Sequence, residues 1–341
     1  MIFKQLLIPS CAALVALAAA PQAAHAGTFQ FVTLQIPNQL GSNASDINDS
    51  NQVVGGYTDS RRRGHGLVWV NGTYTTVDVP GAKDTQLVWV NNAGLAAGVA
   101  TIPHQDDIIF TYDIATGQQT LIGPKKRTNY AVSGISDDGE VFGGYRHRQK
   151  YGTYIEHDGK LKPVTLPGAA SFGINTITDA GEWLGLYTTT TDPNTNHGFT
   201  YQGKTLTSFD PPGSVNTYPF RFAPDGGIEG DFHTAQGPET GFYLANGTYT
   251  TYFYPGAFAT VMLGALNATY VVGYYTNSSA TPSAFIFNAG TYTEYTPNGS
   301  VGANLGPINA SGSVVGDYVD GSNEAFGQVG ICPAGQAPCM P

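Results

Sequence analysis

The chain has 341 residues, among them 15 Lys or Arg and 25 Asp or Glu, so that only 12% are charged and the formal net charge is −10. An ordinary soluble domain has about a quarter charged residues, and the 44 Gly here are about twice the usual share. With 12% aromatic residues, this composition excludes a coiled coil, a helical bundle and a disordered chain. The acidic balance argues against a nucleic-acid partner, whose phosphates require clustered cations.

Residues 1–26 have the pattern of a secretory signal peptide. Lys4 is their only charged residue, residues 6–20 are apolar, and a small-x-small sequence ends at Ala26. We therefore expect cleavage near Ala26 and a secreted or periplasmic protein. A lipid anchor on Cys11 is the alternative, although the residues before it fit a lipid-attachment sequence poorly. The rest of the chain contains no segment apolar enough to span a bilayer, so we predict no membrane span.

A short motif recurs seven times in the remaining chain. It starts with an apolar residue, often followed by Asn, passes through a turn that ends in Gly, and closes with an apolar pair and a second Gly. The seven copies, spaced by 42 to 45 residues, end at Gly55, Gly98, Gly143, Gly185, Gly230, Gly273 and Gly316. Repetition at this period indicates a repeat protein.

Each copy also predicts four short strands. In the second copy these strands lie at residues 86–90, 95–99, 108–112 and around 119–122. Gly or Asn occupies the first turn of most copies, and pairs such as Asn-Gly and Asp-Gly occupy the other hairpin, as tight antiparallel turns require. Four antiparallel strands per repeat are typical of a propeller blade. We predict an all-β, seven-bladed propeller over residues 27–330.

The two ends of the repeat array are expected to meet. Residues 27–37 resemble residues 72–80, which form the fourth strand and exit of the first copy. The seventh copy has a third strand at residues 325–329 and no fourth. We therefore expect the N-terminal strand to complete the last blade, which removes the open sheet edges that promote aggregation. An open solenoid is the alternative.

Several repeated residues are predicted to serve packing. Gly inside a strand indicates a close approach, and we assign the second Gly of each motif to the contact between adjacent blades. Trp69, Trp89 and Trp183 lie among apolar strand residues and are expected in the core between blades. His65 and His197 each begin a third strand and are expected to hydrogen-bond a neighbouring turn.

The repeat resembles the bacterial HAF repeat, a probable extracellular repeat. Residues 308–318 match its Ile-Asn-x-x-Gly-x-Val-Val-Gly-x-Tyr pattern, and residues 47–57 do so with Asn51 in place of the first Gly and with His65-Gly66-Leu67 following. His197-Gly198-Phe199 matches the His-Gly-Phe variant, whereas other copies replace this His. The resemblance covers nearly the whole chain after residue 26. It implies a secreted propeller and supplies no catalytic residues.

Basic residues gather in loops of the first three blades. Each loop follows a second or fourth strand and so belongs to one face of the ring; they contain Arg61, Arg62, Arg63, Lys125, Lys126, Arg127, Arg146, Arg148 and Lys150. After Lys204 only Arg221 is basic, whereas nine residues are acidic. This distribution predicts a positive sector that attracts an anionic partner, such as a uronate-bearing polysaccharide or another cell-surface polymer. Ordinary solvated loops are the alternative.

Three histidines, His104, His147 and His233, fall in or beside loops of the same face, and Asp106 and Asp107 follow the first closely. Imidazole beside carboxylate suits acid–base chemistry or metal binding. These histidines are therefore candidate catalytic residues. No metal-binding motif accompanies them, and we predict no cofactor.

The C-terminal tail, residues 331–341, contains Cys332 and Cys339, which we expect to form a disulfide in an oxidising compartment. The sequence as a whole predicts a monomeric, non-catalytic binding or scaffold propeller that recognises a glycan or anionic surface polymer. A polysaccharide lyase or glycoside hydrolase acting on an acidic polysaccharide, with the three candidate histidines at its site, is the alternative.

Overall fold

The computed structural model describes residues 27–103, 107–123, 128–278 and 281–341. The predicted signal peptide lies outside these residues. The described chain folds into strands joined by turns and loops, and it contains no helix. Within it, therefore, no helix is long and apolar enough to cross a membrane.

Seven four-stranded antiparallel sheets form the body of the protein and are called blades 1 to 7. Blades 1 to 4 are, in order, β3 (Gln39–Ile47), β4 (Val53–Asp59), β5 (Gly64–Val70), β6 (Thr73–Val77); β7 (Asp84–Val90), β8 (Leu95–Thr101), β9 (Ile108–Asp113), β10 (Gln119–Ile122); β11 (Thr128–Ile135), β12 (Val141–His147), β13 (Lys150–His157), β14 (Lys160–Val164); and β15 (Ser171–Ile177), β16 (Trp183–Thr188), β17 (His197–Gln202), β18 (Thr205–Phe209). Blades 5 and 6 are β19 (Ser214–Phe222), β20 (Ile228–Thr234), β21 (Thr240–Ala245), β22 (Thr248–Tyr252); and β23 (Ala259–Asn267), β24 (Tyr270–Thr276), β25 (Pro282–Asn288), β26 (Thr291–Tyr295). The predicted all-β, seven-bladed propeller is confirmed.

Blade 7 is built from both ends of the chain. It contains β27 (Ser300–Ala303), β28 (Val314–Asp320), β29 (Ala325–Ile331) and, at its outer edge, β2 (Gln30–Thr33), which pairs antiparallel with β29. β28 and β29 contact β3 of blade 1. Val315 and Val329 of blade 7 share a buried cluster with Leu67 and Trp69 of blade 1.

The second Gly of the motif lies opposite a β-bulge in the first strand of its own blade. A Cβ atom on Gly55, Gly143 or Gly185 would lie 2.1, 1.9 or 1.9 Å from a carbonyl oxygen of the first strand of the same blade. The register between first and second strands shifts there, as between Ile174 and Thr176 opposite Gly185. The assignment of this Gly to contact between adjacent blades was therefore wrong. A β-bulge pushes one carbonyl toward the second strand, and only Gly leaves room for it.

The Asn of the motif joins the turn between the first and second strands of one blade to the same turn of the next. Asn309 Nδ2 donates to the Asn48 carbonyl oxygen at 2.8 Å, and Asn48 Nδ2 donates to the Asn91 carbonyl oxygen at 2.9 Å. Asn91 Nδ2 in turn donates to the Ser136 carbonyl oxygen at 2.8 Å. Each Asn Oδ1 also accepts a backbone N–H of its own turn. These bonds tie blades 7, 1, 2 and 3 together.

The C-terminal tail covers the start of the described chain. β1 (Gly27–Thr28) pairs in parallel with β30 (Cys339–Met340). Cys332 and Cys339 form the predicted disulfide, and both are buried. Tyr270 donates its hydroxyl hydrogen bond to the Cys339 carbonyl oxygen, which fixes the tail to blade 6.

Candidate functional site

The ring has two faces, and the predicted site residues lie on one of them. The loops that join second to third strands within a blade, and those that lead from one blade to the next, form what we call the loop face. The opposite face carries the tight hairpins and is called the turn face. Both described basic loops, residues 60–63 of blade 1 and residues 148–149 of blade 3 with their flanking strand ends, belong to the loop face.

The basic loop of blade 1 is held by the side chain of Asp59. Asp59 Oδ1 accepts the N–H groups of Arg61 and Arg63 at 2.8 and 2.9 Å, as Asp320 does for the matching loop of blade 7. This turn places Arg62 at φ 61, in the left-handed region. All three Arg side chains are exposed. These hydrogen bonds fix the backbone of the loop, from which the three Arg side chains project.

The basic loop of blade 3 is similar in charge. Arg146, Arg148 and Lys150 are exposed, and Arg148 also has a left-handed φ of 57. Within the described part of the chain, no carboxylate lies within ion-pair distance of these three residues or of the three Arg of blade 1. Their charges are therefore available to a partner. The remaining predicted cations, Lys125, Lys126 and Arg127, lie outside the described residues.

The two candidate catalytic histidines that the structure describes, His147 and His233, make separate contacts in different blades. His147 Nδ1 lies 2.8 Å from Thr128 Oγ1 in blade 3, and His233 Nε2 lies 3.5 Å from Glu239 Oε1 in blade 5. Each therefore makes its contact within its own blade. His104 lies outside the described residues. The two histidines that the structure describes therefore share no partner, and only His233 lies beside a carboxylate.

The repeated histidines have the structural role that the sequence predicts. His65 Nδ1 lies 2.9 Å from Asp78 Oδ1, and His197 Nδ1 lies 2.8 Å from Asp210 Oδ2. In both cases the Asp follows the fourth strand of the same blade. Thr217 in the first strand of the next blade donates to Asp210 Oδ1 at 2.6 Å, so this pair extends to the neighbouring blade. These contacts fix the loops that lead from blade to blade.

Arg221 occupies the central channel, a position that the sequence reading missed. Its Nη1 lies 3.5 Å from Asp46 Oδ1 of blade 1, and its Nε lies 3.5 Å from Glu229 Oε1 of blade 5, close enough for charge attraction but without a well-formed hydrogen bond at Nε. Its guanidinium lies over Trp89 of blade 2, 5.3 Å from the ring centroid. Trp89 therefore faces the channel and not the core between blades, whereas Trp69 is buried as predicted. The isolation of Arg221 in an acidic stretch was the signal available in the sequence.

The carboxyl groups around Arg221 are buried. Burial raises the pKa of Asp46 above its ordinary value, although Arg221 opposes this shift. Burial also raises the pKa of Glu229 to about 8, again against Arg221. Asp231 nearby has a pKa raised by burial. Asp46 and Arg221 of this cluster line the central channel.

Two clefts open at the loop face beside the basic loops. One, of about 620 Å³, lies between blades 7, 1 and 2 and is lined by Arg62, His65 and Tyr57. The other, of about 650 Å³, lies between blades 3 and 4 and is lined by Arg146 and Tyr151. Both volumes suit a small ligand or one unit of a polymer. Among the described residues, no group of three His, Cys, Asp or Glu side chains is arranged to hold a metal ion.

Comparison with known proteins identifies the fold. No protein-family model matches the sequence, and no curated protein is similar enough in sequence to count as a relative. An oligogalacturonate lyase in complex with manganese superposes with a TM-score of 0.58 at 10% identity, over 91% of this chain and 98% of the lyase. The oligogalacturonate lyase of Vibrio parahaemolyticus gives a TM-score of 0.57 at 8% identity, over 89% of this chain and 97% of that one.

A larger enzyme shares the same architecture in part. A prolyl endopeptidase gives a TM-score of 0.58 at 10% identity over 92% of this chain, which spans about half, 51%, of the endopeptidase. This chain is a propeller. At these identities the similarity extends to the fold alone.

Proposed function

We propose that this protein is a secreted, monomeric, non-catalytic propeller that binds an acidic polysaccharide through its loop face. The observation that carries the proposal is the set of six exposed cations on two loops of one face, without a described carboxylate partner, in a protein of net charge −10. An anionic polymer is repelled by most of such a surface and attracted by this sector. The charge distribution thus favours an anionic ligand and its binding at the loop face.

The backbone of the two loops supports this proposal. A left-handed φ is unfavourable for a residue with a side chain, and Gly or Asn adopts it most readily. The position in blade 7 that matches Arg62 is Asn323, at φ 66, whereas Arg148 is the first residue of a shorter, two-residue turn in blade 3, at φ 57. Turn geometry alone does not favour Arg over Asn or Gly at these two positions, and positive charge there agrees with an anionic ligand. Lys204 and Ala289 of the turn face also adopt a left-handed φ, so the exposed charge and not the φ value carries the proposal.

Catalysis, the alternative function, requires a more precise arrangement of side chains than binding does. A lyase or hydrolase needs an acid, a base and a charge stabiliser directed at one pocket. The histidines described on the loop face contact residues of their own blades, which favours dispersed binding over catalysis. The fold shared with oligogalacturonate lyase makes an oligomer or polymer of galacturonate the natural first ligand to test.

The test is retention on immobilised polygalacturonate at increasing salt concentration. We expect the wild-type protein to be retained at low salt and released as salt screens the charges. Two double variants, Arg61→Glu with Arg63→Glu and Arg146→Glu with Arg148→Glu, should each weaken retention by about tenfold or more.

The matched control reverses two charges on the turn face of the same blade. Lys160 and Lys162 of β14 are exposed, and Lys160→Glu with Lys162→Glu makes the same change in net charge. This variant should bind almost as the wild type does, because its charges lie away from the proposed surface. Equal weakening by both kinds of variant would mean that net charge alone governs binding, and the proposal would be wrong.

Incubation with polygalacturonate also tests for catalysis. Lyase activity produces unsaturated uronates, which absorb ultraviolet light, and hydrolysis produces new reducing ends. We expect neither product. Product formation that disappears in His147→Ala would overturn the non-catalytic part of the proposal.

Export and family membership are part of the same proposal. The supporting observations are the signal-like residues 1–26 and the resemblance of the repeats to the HAF repeat. Expression with residues 1–26 present should yield an exported protein whose first residue is Gly27. Mass spectrometry of that protein gives its N-terminus directly, and an uncleaved cytosolic product would contradict the proposal.

A further inference from the structure

Two glycines inside strands have no structural reason to be glycine. A Cβ atom on Gly173 of β15 would meet nothing within 4 Å, and one on Gly144 of β12 would meet only the Gly152 carbonyl oxygen at 3.9 Å. Neither has a left-handed φ. Every other Gly inside a described strand would place its Cβ within 3.3 Å of a neighbouring atom. Since Gly inside a strand costs about 0.5–1 kcal/mol relative to Ala, these two residues weaken the fold without a packing benefit.

Both glycines line the same groove. It is the cleft of about 650 Å³ between blades 3 and 4 that opens on the loop face. Gly144 belongs to blade 3 and Gly173 to blade 4, so open space is preserved on both sides of the groove. A strand Gly without a packing role marks a place where a ligand approaches the backbone closely.

The groove has a polar, aromatic wall at its outer end. Asn129 pairs with Arg146, and Arg146 pairs with Tyr151, across three adjacent strands of blade 3. Directly paired residues project from the same side of a sheet. Arg146 and Gly144 are two positions apart on β12 and therefore also share that side. The next row toward the inside of the blade is Ala131, Gly144 and Thr153, all of them small residues. Thr153 Oγ1 donates to the Phe172 carbonyl oxygen of blade 4 at 2.6 Å and so joins the two walls.

Tyr151 is the most exposed of the large hydrophobic residues that the structure describes, at 76%. A Tyr ring that packs on little of its own protein presents an apolar face and a polar edge to a ligand. Arg146 beside it is exposed and has no described ion-pair partner. The wall therefore combines a flat apolar surface with a planar cation that matches the geometry of a carboxylate.

We propose that the groove between blades 3 and 4 is the subsite for one sugar-acid residue of the polymer. The apolar C–H face of the pyranose ring packs on Tyr151, its carboxylate pairs with Arg146, and its edge passes over Gly144 and Gly173. Asn129 supplies a hydrogen bond to a ring hydroxyl. This inference rests on the proposed function and names the ligand unit that the loop face selects.

The test fills the groove without removing any charge. Gly173→Val adds a β-branched side chain, which suits a strand, at a position where the new Cβ atom meets no protein atom within 4 Å. We expect thermal stability to be unchanged or raised, and affinity for a galacturonate trimer, measured by isothermal titration calorimetry, to fall about tenfold or more. Tyr151→Ala should reduce the affinity for the trimer to a similar degree.

The matched control is Gly321→Val in the loop of blade 7. A Cβ atom on Gly321 also meets nothing within 4 Å, but this residue lies outside the groove. It should leave the affinity for the trimer unchanged. A trimer that binds Gly173→Val as tightly as the wild type would overturn the subsite.

The outcomes separate the subsite from the proposed function. If polygalacturonate retention still depends on Arg61 and Arg63 while groove variants bind the trimer normally, the subsite is wrong and the proposed function stands. If the loop variants retain full binding to the polymer, the proposed function fails. A poly-glutamate peptide that binds as tightly as the trimer, and that Gly173→Val blocks equally, would overturn the assignment of the subsite to a sugar.

Discussion

Arg221 reaches from blade 5 across the central channel to Asp46 of blade 1 and Trp89 of blade 2. Blade 5 is a neighbour of neither blade 1 nor blade 2 in the ring, so the contact crosses the opening. Asp46 and Glu229 are almost completely buried, and Arg221 is the cation that faces both. A charge left unpaired in such a position is far more costly than the intact cluster.

The first prediction concerns this cation. Arg221→Met keeps much of the side-chain volume and removes the charge, which leaves two buried carboxyl groups without a counter-charge. Because burial raises the pKa of Glu229 to about 8, its carboxyl group is charged mainly above this pH, and we expect the free energy of unfolding, measured in urea at pH 9, to fall by about 3–5 kcal/mol. Arg148→Met, at an exposed position, should change it by less than about 0.5 kcal/mol. Similar effects of the two substitutions would show that Arg221 in the buried cluster contributes no more to stability than an exposed Arg does.

The second prediction concerns pH. Burial raises the pKa of Glu229 from its ordinary 4.5 to about 8, so between these values the folded protein holds a proton that the unfolded chain has released. The free energy of unfolding therefore falls as pH rises from about 4.5 to about 8. We expect the melting temperature to decline over this interval and the decline to be smaller in Glu229→Gln. Asp317, whose pKa burial raises to about 6, should retain part of the slope at the lower end.

An unchanged pH dependence in Glu229→Gln would mean that other groups cause the decline. The Gln substitution is suitable because its amide has the shape of a protonated carboxyl group and does not titrate.

At the scale of the strand, two residues of blade 4 show that the fold requires Gly at some strand positions and not at others. Gly185 and Gly173 lie on adjacent strands of blade 4. A Cβ atom on Gly185 would lie 1.9 Å from the Gly173 carbonyl oxygen, whereas a Cβ atom on Gly173 would meet open space. The bulge requires the first glycine and leaves the second free.

The third prediction follows from this difference. Gly185→Ala should lower the free energy of unfolding by about 2 kcal/mol or more, because the bulge must shift to admit a methyl group. Gly173→Ala should raise it by about 0.5 kcal/mol, since Ala loses less backbone entropy than Gly on folding. Thermal unfolding of the two variants measures both effects. Changes of the same sign would contradict the account of the bulge.

At the scale of the whole molecule, the ring brings the two ends of the chain together in blade 7. β2 covers the outer edge of β29, and Phe31 of β2 stacks on Tyr295 of blade 6, with ring centroids 4.2 Å apart. The disulfide-bonded tail then covers β1. Removal of the N-terminal strand would expose both a sheet edge and apolar side chains.

The fourth prediction tests this arrangement. A variant that lacks residues 27–33 should unfold at a lower temperature and form oligomers, because β29 then offers unpaired backbone groups to other chains. Size-exclusion chromatography and thermal unfolding measure these effects. A protein that starts at Gly27 is the control and should remain monomeric. A truncated protein that stays monomeric and equally stable would show that β2 is dispensable.

The number of blades, the strands within them and the disulfide could all be predicted from local patterns. Apolar pairs, turn residues and their spacing repeat along the chain, and each depends on residues close in sequence. The seven copies of the motif therefore determined the fold class, and the pairing of Cys332 and Cys339 followed because they are the two cysteines that remain after the predicted signal peptide. The repeated His65 and His197 were also interpreted correctly, because their Asp partners are local.

Only the tertiary structure decided which distant residues meet. Arg221 and Asp46 are 175 positions apart, and no local pattern relates them. The groove depends on two glycines from different blades, and their sequence context does not distinguish them from the glycines that a bulge requires. The physical reason is that a propeller brings its blades together by closure of the ring, which positions side chains across the channel and between sheets independently of the pattern that forms each strand.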